Sequence, residues 1–291
     1  MFPTIVISLI GIITAILWGT ADFFAAKASR RSSPESVALW VSLIGVVAFA
    51  VIYLIYPGDY SWATNGILYA VAAGVCLELG LFMLFRGLDA GPVSMVSPIS
   101  SAYPLVSMLI LLGIFGGSLH PIQIFGILVT IIGIVVASGL FDIRKSEKKL
   151  TAGVVYGITT FLLWGVAYAM LGKSVGIMGW QKSALIDTCA GLAALIIVLA
   201  LISHQNLGKL FKSKAYKDKY VLGTALIQLL GGIIFTVGLA HAQSSAVITA
   251  ISASYPALTV FLALKHFGEK KQFAPLTGAF VTILGIIILS F

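Results

Sequence analysis

Ten apolar stretches divide almost the whole sequence between them, and each is about as long as a lipid bilayer is thick. They cover 4–25, 37–56, 66–86, 93–115, 122–141, 152–172, 182–203, 221–241, 246–265 and 274–291. A helix rises about 1.5 Å per residue, so roughly 20 apolar residues cross a hydrocarbon core of about 30 Å. Ten such helices would use about 200 residues. A chain of 291 residues then has no room for a sizeable soluble domain. Charged residues make up only 10% of the sequence, against 59% hydrophobic, and mean hydropathy is +1.08. A soluble domain carries about 25% charged residues. The expected fold is therefore an all-α membrane protein with ten transmembrane helices. The apolar run at the N-terminus has no charged leader and no small-residue cleavage site, so it reads as the first span.

A net charge of +8 and a pI near 9.5 would also suit a nucleic-acid binder. The placement of the charges argues against that. Lys27, Arg30 and Arg31 follow the first run, and Arg86 the third. Arg144, Lys145, Lys148 and Lys149 follow the fifth, and Lys209, Lys212, Lys214, Lys217 and Lys219 the seventh. Lys265, Lys270 and Lys271 follow the ninth. The alternate loops hold only Lys173 and Lys182. Positive loops stay in the cytoplasm. Both termini are thus expected outside a plasma membrane, one of prokaryotic inner-membrane type, with membrane lipid as surroundings and no nucleic-acid partner.

The sequence repeats itself. Ile16-Leu17-Trp18-Gly19 in the first run returns 146 residues later as Leu162-Leu163-Trp164-Gly165. Ser100-Ser101-Ala102-Tyr103-Pro104-Leu105 returns 152 residues later as Ser252-Ala253-Ser254-Tyr255-Pro256-Ala257. Gly126 and Gly133 return at the same offset as Gly278 and Gly285. Each repeat holds five runs. Five is odd, so the second repeat would enter the membrane in the opposite direction. Inverted repeats around a midplane site are a common architecture of secondary transporters.

These doubled motifs, the Trp-Gly of runs one and six, the Tyr-Pro of four and nine and the spaced glycines of five and ten, resemble the EamA-type family of the drug/metabolite transporter superfamily. The resemblance spans nearly the whole chain. It implies two EamA-like repeats, 1–141 and 152–291, joined by a cytoplasmic linker at 142–151, and movement of small metabolites across a plasma membrane. Such repeats often carry a Glu between their fourth and fifth helices. Glu269 stands there in the second half, but Gly117 in the first.

Candidate site residues follow from polar groups placed where lipid would be. Pro104 and Pro256 have no N–H and leave the Ser100 and Ser252 carbonyls without helical partners. Ser97, Ser101, Thr249 and Ser254 cluster beside them. The two helices either kink to line a polar cavity or carry permanent kinks satisfied by those hydroxyls. Asp22, Glu78 and Asp187 are the acids inside runs. A charge at mid-bilayer costs roughly 2.5–3.5 kcal/mol, so such a carboxyl faces the interior or stays neutral. Glu78 is a candidate for proton coupling, or else a neutral acid bonded to a neighbour. Asp187 is a second coupling candidate, or an interfacial acid paired with Lys182 or water. Asp22 lies four residues after Trp18 on one helix face, as Tyr168 does after Trp164. That arrangement suits substrate contact, or a salt bridge to a basic loop. Gln228 is open to either an interhelical bond or substrate. The expected substrate-binding set is Trp18, Asp22, Ser100, Tyr103, Trp164, Tyr168, Gln228, Ser252 and Tyr255, with Pro104 and Pro256 as hinges.

Cys76 and Cys189 read as buried free thiols. The histidines at 120, 204, 241 and 266 stand singly at run ends, so no metal is expected. No P-loop is present, so ATP is not the direct drive, and no cofactor or catalytic residue is expected. The sequence thus reads as a secondary transporter of a small organic metabolite by alternating access, with proton coupling as a candidate drive. A passive facilitator, or a membrane sensor or enzyme without net transport, are the alternatives. The spaced glycines of runs five and ten leave a monomer or a homodimer open.

Overall fold

Prolines and glycines set where the helices stop. In the computed structural model, which describes residues 2–58, 62–116, 121–137, 148–202, 207–242, 245–268 and 273–289, no strand occurs among the described residues. α1 (Thr4–Arg31) ends before Ser33-Pro34, where the Ser33 hydroxyl caps the Ser36 amide and Pro34 opens α2 (Pro34–Ile55). α3 (Thr64–Ala90) ends at Gly91-Pro92. α4 (Val93–Ser100) and α5 (Tyr103–Phe115) are the fourth expected span in two pieces, because Pro104 can begin a helix but not continue one. α6 (Pro121–Ala137) follows. α7 (Lys148–Ile202) would be about 80 Å long if straight. It bends at Gly179, whose φ of 75° and ψ of 165° suit glycine alone, and so holds the sixth and seventh expected spans as a hairpin. After α8 (Leu207–Lys212), α9 (Lys219–His241) starts at Asp218, which caps the Tyr220 amide. α10 (Ser245–Ser252) and α11 (Pro256–His266) repeat the break of α4 and α5, and α12 (Phe273–Leu289) is the final helix.

Seven helical stretches among the described residues are long and apolar enough to cross a membrane, the double-length α7 among them. The apolar parts of α6 and α12, Ile124–Gly133 and Leu276–Gly285, are shorter. Most of the linker at 142–151, together with Gly117, His120, His204 and Glu269, lies outside the described residues.

The ends of the helices gather on two faces. On the first, Arg30 donates to the Leu88 and Gly91 carbonyls, both at 3.4 Å, and its guanidinium lies over Phe267. Arg31 pairs with Asp218 at 2.9 Å, Arg86 with Glu35 at 2.5 Å, and Trp40 meets Tyr216. On the second face, Phe2 stacks on His241, Lys173 lies over Phe115 and Lys182 over Trp62. The basic loops with described contacts thus share the first face, and the two lysines of the alternate loops share the other.

Helix directions follow from where glycines meet their neighbours. Along α9, Gly223, Gly231 and Gly238 press on Phe24, Trp18 and Ile10 of α1, so these two helices run antiparallel. Along α3, Gly66, Gly80 and Gly87 press on Met178, Trp164 and Tyr156, so α3 is antiparallel to the first limb of α7. The contacts are reciprocal across the repeat. Gly80 against Trp164 mirrors Gly231 against Trp18, and Gly19 against Tyr255 mirrors Gly165 against Tyr103. Gly133 of α6 lies on Thr282 of α12, and Gly285 of α12 lies on Thr130 of α6. Gly133 and Gly285 thus seat α6 and α12 on each other within the chain. Threonines within the helices return their hydroxyls to carbonyls four residues back, as Thr14, Thr130 and Thr282 do at 2.8 Å, which meets the hydroxyl's needs without water.

Candidate functional site: a half-open chamber beside a sealed crossing

The polar residues expected at a site divide between two adjoining places. The first is a chamber of about 130 Å³ between α1, α2, α3, α7 and α9. Trp18, Tyr168, Gln228, Glu78 and Asp187 line it, as the sequence reading placed them at a site. Ser42, Phe49, Thr188, Phe235 and Thr236 line it as well and were not foreseen. Ser42 had a legible signal, being the lone serine or threonine in the run 37–56. The two phenylalanines carried none, since one sequence does not tell a chamber wall from a core.

Close helix approach shapes the chamber. A Cβ on Gly74 would collide with the Asp187 main chain, and one on Gly191 would lie 2.8 Å from the Glu78 Cβ. Glycines here seat α3 directly on the second limb of α7 and bring the two acids to one wall. Ser42 Oγ bonds the Glu78 carboxyl and also lies 2.7 Å from the Ala38 carbonyl. A hydroxyl has one proton. When Glu78 is ionised, Ser42 donates to it. When Glu78 is neutral, the acid donates to Ser42, whose own proton goes to Ala38. The same geometry serves both protonation states. Asp187 is 6% exposed, and its Oδ1 has no hydrogen-bond partner among the described residues. The lining includes no Lys, Arg or His. Two acids in one apolar chamber repel each other strongly when both are ionised, so the chamber favours a cation or a proton.

The second place is closed. The Ser100 hydroxyl and Tyr255 hydroxyl are 3.0 Å apart, and the Tyr103 and Ser252 hydroxyls 3.4 Å, a crossed pair that exchanges the two repeats. Ser97 donates to Asp22 Oδ2 at 3.0 Å. Tyr103 stacks on Tyr168 with ring centroids 4.4 Å apart, and Trp164 stands edge-on to Tyr103. Asp22, Ser100, Tyr103, Trp164, Ser252 and Tyr255 are all buried and none lines the chamber. Asp22 has a serine partner rather than a loop base. The hydroxyls around the kinks turn back onto main-chain carbonyls: Ser100 onto Ser97, Ser101 onto Pro98, Ser252 onto Thr249 and Ser254 onto Ile251. Pro104 and Pro256 thus sit at breaks whose polar groups are met locally. Trp18 joins the two places, with its ring 5.9 Å from Tyr168, 5.1 Å from Phe235 and 6.5 Å from Tyr255. The thiols depart from expectation: Cys76 is half-buried and Cys189 is exposed on the outside of the bundle.

Apolar helices around a ligand-sized chamber with two acids define a multi-pass α-helical membrane protein with an internal polar site. Residues 5–139 match the EamA-like transporter family. An uncharacterized transporter of Archaeoglobus fulgidus is 22% identical over 289 residues, which is 97% of this chain and 96% of that protein. An uncharacterized protein of Methanocaldococcus jannaschii is 27% identical over 130 residues, 45% of this chain and 94% of that protein. A protein known by its crystal structure shares the fold, with a TM-score of 0.64 at 16% identity over 98% of this chain and 96% of that one. The first half of the chain is thus similar to EamA-like transporters, and the whole chain is similar to a protein described as an uncharacterized transporter.

Proposed function

We propose that this protein is a secondary transporter of a small organic metabolite that works by alternating access. The chamber is the substrate site, and the two repeats, 1–141 and 152–291, exchange the side to which it opens. The observation that carries this reading is the chamber itself: a cavity with two acids, beside α1 packed antiparallel on α9 and α3 packed antiparallel on the first limb of α7, with reciprocal Gly–Trp contacts. Two similarly packed, oppositely directed halves have two equivalent arrangements, and each opens on a different side. The relative from Methanocaldococcus jannaschii, almost all of which matches less than half of this chain, agrees with one repeat as a unit. On this reading the chain crosses a plasma membrane ten times. The first face, with its arginines and lysines, lies in the cytoplasm, and both termini lie outside.

Glu78 carries the coupled proton, because the Ser42 and Ala38 groups accommodate both forms of its carboxyl. Asp187 stands on the same wall and binds the cargo. Reconstitution into proteoliposomes with an imposed pH gradient tests the scheme. Uptake of a substrate found by binding screens should follow the gradient and lose that dependence in Glu78→Gln. Uptake that ignores the gradient in the unaltered protein would make it a passive facilitator instead.

A further inference from the structure

The two repeats differ in whether their tryptophan N–H is met, and the tryptophan whose N–H is unmet lines the chamber. Trp164 and Trp18 occupy matching notches, against Gly80 and Gly231. Trp164 Nε1 donates to the Leu77 carbonyl at 3.1 Å. The residue matching Leu77 is Gln228, which also lines the chamber. Trp18 Nε1, however, has no hydrogen-bond partner among the described residues, although Trp18 is only 6% exposed. An unmet donor at such burial is costly. Asp187 Oδ1 is the complementary case, an unmet acceptor at equal burial. Both residues line the same chamber. The remaining wall is largely apolar and aromatic, with Phe49, Tyr168 and Phe235.

A chamber with one spare donor and one spare anionic acceptor specifies the polar ends of its ligand. We propose that it selects small organic amines carrying a neutral oxygen, with the ammonium on Asp187 Oδ1 and the oxygen on Trp18 Nε1. The aromatic wall takes the apolar body and stabilises the cation. A carboxylate on the ligand would enter a space with two acids and no base. Simple amines are therefore preferred over amino acids, and organic anions are excluded. This deepens the transport reading and rests on it for the purpose of the site, but its test needs no flux.

Isothermal titration of the purified protein in detergent, with four probes sharing one phenyl body, decides the matter. The expected order is 2-amino-1-phenylethanol first, then 2-phenylethylamine about fivefold to tenfold weaker for want of the hydroxyl. Phenylalanine and 3-phenylpropionate should follow at least about tenfold behind 2-phenylethylamine. Trp18→Phe should bring the ratio of the two amines near one, and Asp187→Asn should weaken both amines by more than about tenfold. Should Trp18→Phe not fold, the ratio in the unaltered protein still decides. Phenylalanine or 3-phenylpropionate binding as tightly as the amines, equal binding of the two amines, or a ratio untouched by Trp18→Phe would each overturn the proposal. Amine binding without flux in proteoliposomes would sink the transport reading and leave the amine site standing. Flux of an anionic metabolite would do the reverse.

Discussion

The chamber and the crossing are built from the same residue types, yet only one of them has bonding capacity to spare. In the crossing, Asp22 meets Ser97, Ser100 meets Tyr255 and Tyr103 meets Ser252, and the aromatic rings close over them. In the chamber, Asp187 Oδ1 and Trp18 Nε1 are unmet, and the acids have no base. A polar side chain within an apolar span is thus not in itself a binding group. What distinguishes the two is whether the protein has already supplied its partner.

Six substitutions break or sharpen that contrast. The largest effect is expected from Gly74→Leu, since α3 rests there on the main chain of α7. Prising the helices apart should cost about 3 kcal/mol and lower the melting temperature in detergent by about 10 °C; an unchanged melting curve would mean that this contact does not set the chamber wall. Next comes a paired test of the two aspartates. Asp187→Asn should cost more than about tenfold in affinity for 2-amino-1-phenylethanol while melting no lower, because it removes a buried carboxylate with an unmet oxygen. Asp22→Ala should do the opposite, with affinity held within about twofold and stability down by about 2 kcal/mol as Ser97 loses its acceptor. Matching effects from both would erase the distinction between the two regions. Smaller still, Tyr255→Phe should cost about 1 kcal/mol and Tyr103→Phe less, following their 3.0 and 3.4 Å bonds to serine; thermal melts that reverse this order would contradict the crossed network. The smallest effect belongs to Cys189→Ala, at a residue that is exposed although it follows the chamber-lining Thr188; it should leave both melting and affinity within about 0.5 kcal/mol.

Much of the helical layout was legible because hydrophobic runs and their punctuation are local. Ser33-Pro34, Gly91-Pro92 and Asp218 end or begin helices by chemistry contained within a few residues. The Trp-Gly and Tyr-Pro repeats are likewise local strings. The division of the site was not legible, because it depends on which helix faces which. Nothing in the sequence around Tyr103 says that its hydroxyl finds Ser252 some 149 residues away. Nor does the sequence say that Phe235 borders open space while Leu239, four residues on, is simply buried. The bend at Gly179 shows the same limit. The expected spans 152–172 and 182–203 leave a gap between them, but helix continues up to a single glycine, which turns the chain without an extended loop.

The mutual seating of Gly133 on Thr282 and of Gly285 on Thr130 also limits how the halves can move. Each threonine occupies a notch that only a missing side chain provides, and two such notches index α6 and α12 along their common axis. Sliding one past the other by a single residue, about 1.5 Å, would drive a threonine against a residue that bears a Cβ. This joint therefore resists axial shear more than rocking across it, and on the proposed transport reading it would serve as a hinge pin.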